Sequence, residues 1–131
     1  MHETTTDAIS RVLKRHPKIR LALLFGSVAS GQAGPDSDLD LAVDIGHPLS
    51  TAQKMTLVTE LAASTGRPID LIDLRNIGEP LLGQILRHGK RLIGLDAVYA
   101  ALLSRHWFDE ADFMPYYRRI LAARRSEWIG K

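Results

Sequence analysis

LFGSVASGQAGPDSDLDLAV, residues 24–43, is the stretch that decides the fold. It opens on the end of an apolar run, Ile19 to Phe25, that reads as a buried strand. Gly26 ends that run. Residues 27–37 are rich in Gly, Ser and Pro and form a loop, with room for one helical turn near Val28 to Ser30. Asp38 to Ile45 then alternates as a strand does: Leu39, Leu41 and Val43 on one face, Asp38, Asp40, Ala42 and Asp44 on the other. Two strands joined through a Gly/Ser turn deliver a pair of carboxylates to the place where the chain has just turned.

That arrangement has a chemical use. Glycine lets a backbone turn sharply and approach a ligand closely. Ser27 adds a hydroxyl, and the amides after it can point at phosphate oxygens. Carboxylates at positions i and i+2 of a strand project together, and they repel unless a cation lies between them. Magnesium suits such a place, taking one or two carboxylates together with substrate phosphates. In two-metal phosphoryl chemistry a third carboxylate is wanted, and Asp70 and Asp73 in the next apolar run are the candidates. Taken singly these features are bland: Gly26-Ser27 is an ordinary strand exit, and Asp38 and Asp40 could be the wet side of a half-exposed strand. Aspartate is depleted in strands, however, and three on one face straight after a Gly/Ser loop point to a site.

Working outward, a first helix is expected from about Thr6, as N-cap, to His16, stopped by Pro17. Beyond the aspartate strand, Gly46 and Pro48 break the chain. A helix follows from about Thr51 to Ser64, with Met55, Val58, Leu61 and Ala62 inward and Gly66 just past its end. Ile69 to Leu74 is a third strand, Pro80 to His88 a shorter helix, and Arg91 to Ile93 a short fourth strand. Residues 96–128 are helical, with a break near Asp112 to Pro115. The order αββαβα(β)αα implies an α+β architecture, a small mixed sheet packed on helices. With 131 residues the chain is expected to form one domain, its core at about 19–93 and helices after it at about 96–128.

Composition excludes much. With 45% hydrophobic and 24% charged residues the chain has the makings of a core, and intrinsic disorder is not expected. It has no cysteine, so disulfide scaffolds, zinc ribbons and thiol catalysis are out. No run of about 18 apolar residues and no signal-peptide pattern occurs, which makes a cytoplasmic protein the expectation. GxxxxGK[ST], GxGxxG and HExxH are all missing. The formal net charge is +2, but Arg118, Arg119, Arg124, Arg125 and Lys131 crowd the end of the chain against Glu127. Such a tail reads first as a solvated helix face, and direct nucleic-acid binding is not expected. His16 is expected to be solvated and His88 to sit at a helix end, while for His47, in a loop close to the aspartate strand, contact with substrate is the lesser reading. Tyr99, Trp107, Tyr116 and Tyr117 read as helix packing rather than a base-stacking platform.

Gly26-Ser27, ten residues, then Asp38-x-Asp40 resembles the signature of the DNA polymerase β-like nucleotidyltransferase superfamily. The nearer likeness is to its minimal single-domain members, the MNT proteins, as found in the antitoxins of HEPN–MNT toxin–antitoxin pairs. It extends over about Ile19 to Ile93 and takes in the IDLIDL strand, residues 69–74. The resemblance implies that Gly26 and Ser27 hold the triphosphate, that Asp38 and Asp40 bind two magnesium ions, and that Asp70 is the third carboxylate. Asp73 has the opposite strand parity, and Asp44 is expected at the rim. The activity implied is transfer of AMP from ATP to a hydroxyl, a tyrosine of a cognate HEPN ribonuclease toxin, by an antitoxin. The rivals are an antitoxin that neutralises by binding alone and a transferase acting on a small molecule. Ser30 stands where many relatives carry arginine.

Overall fold

The computed structural model describes residues 3–107. Within them α1 (Thr5–Lys14), β1 (Leu21–Phe25), α2 (Gly26–Ser30), β2 (Leu39–Asp44), α3 (Thr51–Thr65), β3 (Ile69–Asp73), α4 (Leu81–His88) and β4 (Lys90–Gly94) follow one another. Residues 96–107 are helical and are called α5 below. The four strands make one sheet in the order β3-β2-β1-β4. β1 runs antiparallel to both its neighbours, whereas β2 and β3 are parallel, with α3 as the crossover that parallel pairing requires.

The sheet is covered on both faces. On one, Ile9, Val12 and Leu13 of α1 and Leu57 and Leu61 of α3 pack over Leu24, Leu39, Leu41, Val43 and Leu71. On the other, Leu82, Ile85 and Leu86 of α4 and Val98 and Leu102 of α5 pack over Leu21, Leu23 and Ala42. The unbroken apolar run of β1 reflects this, since a central strand buried on both sides has no wet face on which to alternate. β2 is likewise enclosed past Asp40: Ala42 and Asp44 are buried, which corrects the expectation of Asp44 at a rim. Its carboxylate accepts a hydrogen bond from the Gly46 amide at 2.7 Å, tightening the turn that leaves the strand.

Helix ends follow their local chemistry. Thr4, not Thr6, caps α1, because its hydroxyl sits where it accepts from the Asp7 amide at 3.0 Å. Ser50 and Gln53 form a reciprocal capping box on α3, and Gly66 closes it at φ 68°. His16 is not left to solvent: it pairs with Glu60 of α3, and that contact holds the Glu60 carboxyl below its ordinary range. The inward face of α3 keeps Leu61 and, packed against the core, Val58, as expected, and departs from the sequence reading at Leu57 and Met55. Leu57 and Leu61 are its buried residues, whereas Met55 is 63% exposed. The helix packs along α1 and the sheet together, and that narrow seam takes the 57/61 pair. The expected helical break at 112–115, Tyr116, Tyr117 and the basic tail lie outside the described residues. No helix among the described residues is long and apolar enough to cross a membrane.

The α3 seam makes a direct prediction. Leu61→Ala, which empties a fully buried position, is expected to cost about 2–5 kcal/mol of unfolding free energy in urea titrations. Met55→Ala is expected to stay within about 0.5 kcal/mol of the parent. Similar losses for both would place Met55 inward after all.

Candidate active site

Strand directions gather the predicted residues at one end of the sheet. β1 ends at Phe25, opposite Asp40 near the start of β2. β3 starts beside the start of β2, pairing Leu39 with Ile69 and Asp40 with Asp70. The exit of β1 and the entrances of β2 and β3 therefore meet, and Gly26, Ser27, Asp38, Asp40 and Asp70 come from those three points.

Gly26 turns the chain at φ 75° and begins α2 at once. Its lack of a side chain is required twice over. The backbone lies in the left-handed region, and a Cβ there would stand 2.1 Å from Asp40 Oδ2. The Asp40 carboxylate thus rests directly against the Gly26 backbone. The Ser27 side chain is half-buried, and its hydroxyl has no protein partner among the described residues.

Asp40 and Asp70 are neighbours in the parallel register and hydrogen-bond to one another through their side chains. Burial first, then the charge and hydrogen bond of Asp70, then the charge of Asp38, push the Asp40 carboxyl above its ordinary range. Asp38 and Asp70 are both exposed. Among the described residues no three His, Asp or Glu side chains are already gathered round a single cation position. Here Asp40 and Asp70 touch, while Asp38 stands at the strand entrance within reach of their charge. Hard carboxylate oxygens that repel one another at an open strand end are a donor set suited to magnesium.

The remaining acidic and imidazole groups go elsewhere. Asp73 pairs in register with Val43, further along the sheet than Asp70. Its oxygens accept from the Leu49 amide at 2.8 Å, the Arg75 amide at 2.9 Å and the Asn76 side chain at 3.3 Å. It therefore ties the loop entering α3 to the end of β3. His47 follows the far end of β2 from Asp38 and Asp40, and its Nδ1 contacts the Pro48 carbonyl oxygen at 3.0 Å. His88 is exposed in the last turn of α4.

One positioning residue went unseen in the sequence. Arg67 donates from one guanidinium nitrogen to the carbonyls of Gly34, at 2.7 Å, and Ser37, at 3.1 Å, while the Leu39 amide donates to the Pro68 carbonyl at 2.8 Å. These bonds lash the Gly-Pro loop before Asp38 to the entrance of β3, fixing the approach of the two acidic strand ends. A lone arginine before a strand carries no signal of this; only the parallel pairing brings residue 67 beside residues 34 and 37.

Comparisons with known proteins give the family of the chain. The family model described as "Polymerase beta, Nucleotidyltransferase" matches residues 7–97. A protein adenylyltransferase, MntA, of Shewanella oneidensis is 33% identical over 95 residues, 72% of this chain and 68% of the relative. A putative protein adenylyltransferase, MJ1217, of Methanocaldococcus jannaschii is 28% identical over 89 residues, 68% of this chain and 84% of the relative. Among solved structures, a chain of a toxin–antitoxin crystallised with AMP-PNP superposes with TM-score 0.71 at 26% identity, covering 97% of this chain and 98% of that one. A complex of tri-AMPylated Shewanella oneidensis HEPN toxin with MNT antitoxin gives TM-score 0.67 at 26% identity, covering 89% and 96%. With a matching family model over most of its length and the two acidic strand ends converging on a Gly-Ser turn, this chain belongs to the polymerase β-type nucleotidyltransferases.

Proposed function

We propose that this protein transfers AMP from ATP to a tyrosine hydroxyl of a HEPN-type ribonuclease toxin and acts as that toxin's antitoxin. The observation that carries the reading is the carboxylate pair Asp40–Asp70 set against the bare backbone of Gly26. It draws support from relatives named protein adenylyltransferase and from a structural neighbour described as a tri-AMPylated HEPN toxin with its MNT antitoxin.

Asp38, Asp40 and Asp70 would hold the divalent cation. When bound, such a cation neutralises phosphate charge and makes the acceptor hydroxyl easier to deprotonate. The chain's own groups do the rest. Gly26 lets the α-phosphate approach within reach of Asp40, and the unpartnered Ser27 hydroxyl donates to a phosphate oxygen. The acceptor oxygen attacks the α-phosphorus, the new P–O bond forms as the bond to the β-phosphate bridging oxygen breaks, and pyrophosphate leaves. The hydroxyl proton passes to the exposed carboxylate of Asp70, which lies at the open side of the pair. Arg67 acts on this chemistry at a distance, by holding the Asp38 loop in place.

Exchanging Asp38 and Asp40 together for asparagine is expected to lower transfer by about a thousandfold or more. The variant should melt no lower than the parent without metal, because like charges that repel have been removed. Full transfer by the double variant would refute the assignment. Asp70→Asn should cost about 10²–10⁴-fold in kcat, while Asp73→Asn should leave kcat nearly intact and lower the melting temperature, since Asp73 organises a loop. Equal losses of kcat would reject the register argument. Catalytic amounts of the protein with ATP and magnesium should silence excess toxin, and mass spectrometry should find AMP added to a toxin tyrosine. An unmodified toxin that is inhibited stoichiometrically, without ATP and equally by the double asparagine variant, would establish neutralisation by binding alone.

A further inference from the structure

Beside the carboxylates, between α2 and α4, lies an open cavity of about 660 Å³. Gly26 and Ser30 line it on one side and Gln84, Arg87 and His88 on the other, over Ile85. No aspartate or glutamate lines it among the described residues. Gly26 is common to the cavity and to the contact with Asp40, so a ligand held at the carboxylates reaches the cavity by crossing a single residue that has no side chain.

The fold holds Arg87 and His88 in place there. β4 starts at Lys90, paired with Leu24 of β1, so the end of α4 is delivered next to the exit of β1. The join is tight: a Cβ on Gly89 would meet the Ile85 carbonyl oxygen at 2.4 Å. Across the cavity α2 contributes no cation, and the Ser30 hydroxyl is turned back to donate to the Ser27 carbonyl at 3.1 Å. The positive charge at this place comes from α4. The Arg87 guanidinium has no hydrogen bond or ion pair to another residue among those described, whereas those of Arg67, Arg75 and Arg91 have partners. A cation in the last turn favours the helix dipole, but that effect asks for no cavity.

We propose that this cavity seats the β- and γ-phosphates of the nucleotide, with Arg87 gripping the terminal phosphate and Gln84 and His88 donating beside it. The inference rests on the nucleotidyltransferase reading above. A guanidinium matches a phosphate by paired N–H donors, and a cavity without carboxylates is suited to a polyanion. The purine is a poorer occupant, because Phe25, the aromatic residue lining the cavity, also packs into the core beneath it.

The test is calorimetric binding of magnesium-ATP, ADP and AMP to the parent protein, Arg87→Ala and Arg87→Lys. Arg87 is exposed, and circular dichroism checks that the variants fold. The parent should prefer ATP to ADP. Arg87→Ala should weaken ATP by about tenfold or more and flatten the ATP-to-ADP ratio while leaving AMP unchanged, and Arg87→Lys should recover part of the loss. Unchanged ATP affinity in Arg87→Ala overturns the inference alone. So does equal weakening of ATP, ADP and AMP, which would mark a contact to the nucleoside. A parent that binds no ATP overturns it together with the nucleotidyltransferase reading.

Discussion

The contact on which this site depends is the one between Asp40 and Asp70. Two acidic side chains placed in adjacent strands at matching register repel when both are charged, and burial together with that repulsion raises the Asp40 carboxyl above its ordinary range. The fold keeps them there at that cost. Parallel pairing of β2 with β3 fixes the register, Arg67 and the Leu39–Pro68 hydrogen bond fix the strand entrances, and Gly26 presses the backbone of the preceding turn against Asp40. A protein with no use for a cation would relieve this strain by a single substitution to asparagine. The arrangement makes physical sense as a ligand set completed by metal and phosphate.

The architecture serves that end economically. β1 is central, buried on both faces, and antiparallel to both neighbours, so its exit lies beside the entrance of β2. The parallel crossover through α3 then returns the chain to the same end, where Asp70 arrives next to Asp40. At the opposite end of β2, Asp44 and Asp73 hold turns and loops through backbone amides. The same residue type thus does two jobs, and which one depends on the end of the strand it occupies. The carboxylates near an open strand end meet other carboxylates; those at the closed end meet amide donors.

Much of this was legible in the sequence. The Gly-Ser turn and the parity that separates Asp70 from Asp73 carry through to the structure, whereas Asp38, read as part of the strand with Asp40, lies just before β2 begins at Leu39. What failed were inferences needing to know what covers a surface. Alternation in residues 38–45 suggested a wet face reaching Asp44, but α4 and α5 cover the sheet beyond Asp40. Met55 and Leu57 are both apolar, and nothing within α3 says which meets α1. His16 and Glu60 are separated by 44 positions and meet only because α1 and α3 lie side by side. Arg67 belongs to the same class, a positioning residue whose partners lie 30 and 33 positions away.

The central claim is that the acidic strand ends, with Gly26, form the seat of the reacting phosphate. A crystal structure with manganese and a non-hydrolysable ATP analogue tests it directly through the anomalous signal of the metal. The account predicts manganese coordinated by Asp38, Asp40 and Asp70, with the α-phosphate beside Gly26. Manganese and nucleotide ordered elsewhere, as in the cavity between α1 and α3 lined by Arg15, Ile19, Ile45 and Leu57, would contradict it.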